Sequence, residues 1–270
     1  MVARLLLPGG KVLFTSVKSK IKSALAIMKA IIVEQKNIRK LDSVLPLSGV
    51  LSQEGFVTTR LDVDLGKDFQ DRIDKLCNGN KVTPILQDDL PLVKSILTKL
   101  EVPIKQYLGG NAEITEAFWE KAITTNTAVS GAWHTDGCGH QIKIYWCGHI
   151  QGSMPTLVVP HSASISSIRK LMIEAPRWFG TKALINPLNI KHQFAIDHQQ
   201  GTLSAFDTNL LHRGAYSSVG STRICLQIHI NANGKSKSIK SPYLKPVGSK
   251  EFTQNKGLHQ VIKEAGFQVA

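Results

Sequence analysis

Two stretches of the chain carry residues that could do chemistry together: Trp133-His134-Thr135-Asp136 and Phe206-Asp207-Thr208-Asn209-Leu210-Leu211-His212-Arg213-Gly214. His134 and Asp136 are two residues apart, so in extended backbone both side chains leave on one face. His212 lies far along the chain, so it must arrive on another strand. Two neutral imidazoles and one carboxylate on one side of a metal leave coordination positions open, a ligand pattern suited to non-haem iron(II) and dioxygen. Arg223 opens the run Arg223-Ile224-Cys225-Leu226-Gln227-Ile228-His229-Ile230, and its guanidinium suits a bidentate link to a dicarboxylate whose other end chelates the metal.

The elements that must position these residues lie mostly in the second half. Short apolar runs at Ala122–Ala128, Gln141–Ile150, Thr156–Val159, Gly201–Phe206 and Thr222–Ile230, separated by Gly, Pro, Ser and Asn, predict strands of an antiparallel sandwich or jelly roll. In the second of them Ile142, Ile144, Trp146 and Ile150 should share one face and Lys143, Tyr145, Cys147 and His149 the other. That second face is too polar for plain core, so Lys143 and Tyr145 on it, with Thr156 on the next strand, are candidate co-substrate contacts beside Arg223. Trp133 either floors a substrate pocket or packs, and His192, His198 and His229 read as surface or satisfied core histidines.

Upstream, Lys67–Cys77 and Asp88–Leu100 read as amphipathic helices that brace the sheet, and Gly109-Gly110-Asn111 as a turn before a short helix through Phe118-Trp119. The insertion from Ser164 to about Ile196 has the position of a lid, with Arg169, Lys170, Arg177 and Trp178 facing an anionic substrate or solvent. A last helix is expected over Leu258–Ala265. Together these give one domain over residues 41–270 and a basic segment over residues 1–40 that packs on the core or is appended to it.

The segment 1–40 holds nine basic residues and one acid, with Ile21, Leu25, Met28, Ile31 and Ile32 at helical spacing. It reads as a helix on the core, a peripheral membrane helix or a transit peptide. No apolar run is long enough to span a bilayer. The net charge of +13 favours an anionic partner, and 42% apolar residues describe a globular chain. Cys77, Cys138, Cys147 and Cys225 form no CxxC pair, which points away from a disulfide framework or a zinc ribbon and towards a reducing, intracellular compartment. The two Cys/His pairs around Cys138-Gly139-His140 and Cys147-Gly148-His149 flank a strand at an odd offset, which fits a tetrahedral site poorly.

His134-Thr135-Asp136, Gly201-Thr202-Leu203-Ser204-Ala205-Phe206-Asp207, Leu211-His212-Arg213-Gly214 and Arg223 resemble the phytanoyl-CoA dioxygenase family of Fe(II)/2-oxoglutarate oxygenases. Thr156-Leu157-Val158-Val159-Pro160-His161-Ser162 is similar to that family's Leu-x-x-x-Pro-Gly-Ser-His segment, with His161 in place of the glycine. The resemblance spans roughly residues 120–231. It implies a mainly β protein with flanking helices, built on a double-stranded β-helix of the jelly-roll or cupin-like kind. Iron would be held by His134, Asp136 and His212, and the distal carboxylate of 2-oxoglutarate by Arg223. It further implies oxidative decarboxylation of 2-oxoglutarate to succinate and CO2 with O2, coupled to oxidation of a C–H bond. Because halogenating relatives lack the carboxylate ligand, Asp136 implies hydroxylation or a related oxidation.

The substrate expected is a small molecule, either free or linked to a carrier or coenzyme A. Nucleic-acid dealkylases of the same superfamily carry a second arginine shortly after the first; Arg223 is followed by none, so nucleic acid is not the expected partner. A reading from another class is a jelly-roll binding module recruited to an acidic partner or membrane by the segment 1–40.

Overall fold

Strands that alternate apolar and polar residues must each cover one face, and here two antiparallel sheets do this for one another and for a layer of helices. The structure, a computed structural model, describes residues 45–64, 66, 68–69, 71–72, 82–110, 112–124, 133–136, 140–162, 192–214, 219–232 and 249–270. The segment 1–40, Cys77, Cys138 and the insert residues Arg169, Lys170, Arg177 and Trp178 lie outside the described residues, as does most of the helix expected over Lys67–Cys77.

In chain order the strands are β1 (Phe56–Arg60), β2 (Val82–Pro84), β3 (Ala112–Ile123), β4 (Gln141–Gln151), β5 (Thr156–Val158), β6 (Phe194–Ile196), β7 (Thr202–Asp207), β8 (His212–Gly214), β9 (Thr222–Ala232) and β10 (Gln268–Val269). The larger sheet runs β1-β7-β4-β9-β3-β10, with β2 also on β3, and the smaller runs β6-β5-β8. All pairings are antiparallel except β10 on β3. His134 extends the smaller sheet through an antiparallel bridge to His212. From β3 through the His134 bridge to β9 the chain therefore visits larger, smaller, larger, smaller, smaller, larger, smaller and larger sheet. That interleaving is the double-stranded β-helix expected from the resemblance. Phe206 and Tyr145 of the larger sheet pack against Val158 and Ile196 of the smaller one.

The other face of the larger sheet carries Ile142, Ile144, Trp146, Leu226 and Ile228, buried against α1 (Leu90–Leu108) and α3 (Lys256–Glu264), with α2 (Ser249–Gln254) alongside. In α1, Val93, Ile96, Leu97, Leu100 and Ile104 recur every three to four residues on the buried face. The helix runs past the expected end at Leu100 and through Pro103. An interior proline costs about 3 kcal/mol. Ile104, Tyr107 and Leu108, all buried beyond it, offset this at roughly 1.5–3 kcal/mol for a fully buried aliphatic side chain. Gly109, at φ 84°, then closes the helix.

Two local expectations are overturned, both by β-bulges. The short helix expected through Phe118-Trp119 is instead part of strand β3, which begins at Ala112, well before Ala122, and ends at Ile123, while Gly110 stands in a turn ahead of it as expected. Its register shifts between Ile114 and Glu116. One extra residue changes the parity, so the buried Ile114 and Ala117 fall three apart and imitate a helix. β4 has a second shift between Cys147 and His149, which sets His149 opposite Ile224 and Ile150 opposite Arg223. Opposed residues share a face. His149 therefore joins the helix-facing row with Ile224, and Ile150 joins the row of Arg223, the reverse of strict alternation.

No helix among the described residues is long and apolar enough to cross a membrane. Ile96, fully buried on α1, tests the helix-facing core. Ile96→Ala should lower unfolding free energy by about 2–5 kcal/mol with an unchanged urea m-value. The exposed Val102→Ala on the same helix should stay within about 0.5 kcal/mol.

Candidate metal centre

The site begins with backbone pairing. His134 and His212 exchange both N–H···O bonds at 2.9 Å, which sets their rings on neighbouring strands with centroids 4.4 Å apart. Asp136 N–H donates to Thr208 O at 3.0 Å, tying the third side chain to the turn that precedes β8. That turn is fixed by Asp207, fully buried at the end of β7. Its carboxylate accepts from Asn209 N–H at 2.8 Å and, in a very short bond, from the Tyr107 hydroxyl of α1. His140 Nδ1 lies 2.9 Å from that hydroxyl and 3.3 Å from Asp207. Ser162 Oγ accepts Leu211 N–H at 2.7 Å on the other side. His161, which stands where the resembled segment has glycine, takes a left-handed φ of 60°.

His134 Nε2 and His212 Nε2 each lie 3.4 Å from a different oxygen of Asp136. One donor atom from each of the three residues can be chosen so that all lie within 4.8 Å of one another. Cations bound by imidazole and carboxylate take bonds of about 2.0–2.2 Å, so donors at this spacing can share one ion. His212 Nδ1 lies 2.8 Å from Leu210 O. That contact assigns the proton to Nδ1 and leaves the Nε2 lone pair for a metal. Both imidazoles are buried, at 4% and 5% exposure. The donor set therefore fits a divalent first-row cation with positions left open.

Lys143 Nζ sits 2.5 Å from Asp136 Oδ2. Burial alone would lower the Lys143 pKa, but the Asp136 carboxylate outweighs it and holds the ammonium well above the usual lysine range. Burial pushes Asp136 up, and its neighbours, the Lys143 ammonium first among them, outweigh it, so the carboxyl stays well below its ordinary value. The third donor is thus an ionised carboxylate with a lysine counter-ion, for which a dication would compete.

The site extends away from the three donors along aromatic faces. Phe206 lies 5.0 Å from the His212 ring and stacks on Tyr145 at 5.7 Å. The Arg223 guanidinium sits 5.4 Å from the Tyr145 centroid. Burial pushes the Tyr145 phenol up to about 12, so it stays protonated. Arg223 Nη1 donates to Met154 O at 3.1 Å and lies 3.4 Å from Thr156 Oγ1. All seven residues singled out from the sequence thus fall in one connected region: His134, Asp136 and His212 with Lys143 at one end, Tyr145 between, and Arg223 with Thr156 at the other.

Sequence reasoning passed over two groups of residues. The supports Tyr107, His140 and Asp207 come from three distant segments; Asp207 lies within the second motif, and His140 stood out only in a Cys/His pair that fits a metal site poorly. His198, read from sequence as an ordinary histidine, is 1% exposed with Nε2 2.9 Å from Thr156 Oγ1. His192 is exposed, and His229 pairs with Glu116 at 3.1 Å. Trp133 is packed, with the Arg213 guanidinium 4.9 Å from its ring. Cys147 stands opposite Cys225 across β4 and β9, both buried free thiols, while His140 is engaged with Tyr107 and Asp207.

No protein-family model and no curated protein sequence matches the chain. Among solved structures, similarity is found to HygX from Streptomyces hygroscopicus with nickel and 2-oxoglutarate bound (12% identity, 68% of this chain and 85% of that chain, TM-score 0.48). It is found also to SnoK, a non-haem alpha-ketoglutarate-dependent carbocyclase from nogalamycin biosynthesis (8%, 67% and 80%, TM-score 0.45). A third is EctD from S. alaskensis with 2-oxoglutarate and 5-hydroxyectoine (14%, 70% and 78%, TM-score 0.44). At TM-scores below 0.5 these likenesses assign neither family nor activity, and the functional reading rests on the chain's own residues.

Mn(II) at a hundred times its dissociation constant should stabilise the protein by about 2.7 kcal/mol, read as a rise in melting temperature. Asp136→Ala should abolish the rise. His161→Ala, at a residue whose side chain is 68% exposed, should leave it unchanged.

Proposed function

We propose that this chain is an Fe(II)- and 2-oxoglutarate-dependent oxygenase that oxidises a C–H bond of a small molecule, with release of succinate and CO2. The observation that carries the reading is the convergence of His134, Asp136 and His212, with Arg223 at the far end of the same aromatic-lined region. Bound Fe(II) would supply the centre at which 2-oxoglutarate and dioxygen react. Residues 41–270 form the oxygenase domain in this reading, and residues 1–40 are an accessory to it.

The chain's own residues have separable tasks. His134 and His212 offer neutral Nε2 donors, and the Leu210 carbonyl holds the His212 tautomer that does so. Asp136 contributes one negative charge and fills the position a halide would otherwise take, which supports oxidation rather than halogenation. Lys143 keeps Asp136 ionised. Arg223 offers a planar fork of N–H donors to the distal carboxylate of the co-substrate. Phe206 and Tyr145 line the path between the two ends, where apolar faces exclude water from the methylene groups of a dicarboxylate. The substrate class is open to chemistry: the +13 charge supports an anionic, phosphorylated or carrier-linked molecule.

Two measurements check this. Anaerobic protein with Fe(II) and 2-oxoglutarate should develop a weak visible charge-transfer band that His134→Ala abolishes; an intact protein without the band contradicts the proposal. Arg223→Leu should raise the KM for 2-oxoglutarate about 10- to 100-fold, the worth of charge-assisted hydrogen bonds of roughly 1.5–3 kcal/mol. Succinate release from a screen of candidate substrates supplies that readout.

A further inference from the structure

His198 is a buried imidazole with little reason to be one. It follows β6, is 1% exposed, and its Nδ1 has no hydrogen-bond partner among the described residues. Buried polar atoms are nearly always paired, so an unpaired one asks for an explanation that an apolar side chain at the same place would not need. Its only hydrogen bond among the described residues joins Nε2 to Thr156 Oγ1 at 2.9 Å, and Thr156 Oγ1 lies 3.4 Å from Arg223 Nη1. The Tyr145 ring closes the other side, edge-on at 5.9 Å.

The directions of these bonds follow from the inventory of donors. A guanidinium only donates, so Arg223 gives a proton to Thr156 Oγ1. Thr156 retains its own hydroxyl proton, and His198 Nε2 is the one partner among the described residues left to accept it. That requires a neutral ring with its proton on Nδ1. We propose that His198 is a positioning residue for the co-substrate: it takes the Thr156 hydroxyl proton, turns that oxygen's lone pairs to Arg223, and so fixes the guanidinium in the orientation that receives the distal carboxylate of 2-oxoglutarate. Burial and the nearby Arg223 charge both keep the ring neutral, holding its pKa well below the ordinary histidine value. The inference rests on the reading of Arg223 as the anchor for that carboxylate, and it gives Thr156 an indirect role through Arg223.

The test is calorimetric and needs no turnover. Full-chain protein loaded with Mn(II) is titrated with 2-oxoglutarate and with 2-oxopentanoate, which has a methyl group where 2-oxoglutarate has its distal carboxylate. The wild type should bind 2-oxoglutarate more tightly. His198→Leu should weaken 2-oxoglutarate about three- to tenfold, the worth of one hydrogen bond, and leave 2-oxopentanoate unchanged. His198→Gln, whose amide oxygen can accept the Thr156 proton, should recover the wild-type preference. Thr156→Val, which removes the middle oxygen, should lose it as His198→Leu does, and stands in if that variant does not fold. An unchanged preference in His198→Leu and Thr156→Val, or equal weakening of both ketoacids, overturns the proposal while leaving the oxygenase reading intact. A wild type that binds both ketoacids equally removes the role of Arg223, and one that binds neither overturns the oxygenase reading; the proposal falls in both cases.

Discussion

Everything at the centre depends on one backbone constraint: the reciprocal pair of hydrogen bonds between His134 and His212. These residues are far apart in sequence, and each lies in a short segment that does not belong to a long strand. The pair sets both Nε2 atoms against Asp136 at 3.4 Å. Such pre-organisation matters because a ligand set held within a few tenths of an ångström spares the ion the cost of ordering it. The supports are correspondingly heavy. Asp207, with Tyr107 and His140, clamps the turn whose Thr208 carbonyl receives Asp136 N–H, and Ser162 holds Leu211 from the smaller sheet.

The larger sheet divides its two faces between stability and chemistry. One face is closed by α1 and α3 and is almost wholly apolar. The opposite face sets Lys143 and Tyr145 of β4 in the same sheet as Arg223 of β9, a row of charged and polar groups that burial alone would make costly. Each is compensated locally: Lys143 by Asp136, and Arg223 by Met154 O and Thr156, with the face of Tyr145 beside it. The compensation is electrostatic rather than apolar, and it leaves a site where an incoming anion meets cations already in place.

What could be read from the sequence was whatever is encoded by short-range spacing. His134 and Asp136 two apart, the alternation of Ile142, Ile144 and Trp146, and Arg223 at a strand start are local patterns, and all seven candidate residues gather in one region. The failures are equally physical. A single extra residue near Thr115 converted a strand's parity into an apparent helical spacing, and another at Gly148 exchanged the faces of His149 and Ile150. β1, β2 and β10 are short edge or near-edge strands with weak alternation, so their pairing partners, not their own residues, define them. His198 carries no motif because its meaning comes from Thr156 and Arg223, which reach it only in three dimensions.

The claim on which the rest stands is that three side chains share one ion. Crystals grown anaerobically with Fe(II), measured at the iron absorption edge, test it directly. One anomalous peak is expected about 2.0–2.2 Å from His134 Nε2, an Asp136 carboxylate oxygen and His212 Nε2. A map without a peak there, or with iron held by other residues, would contradict it.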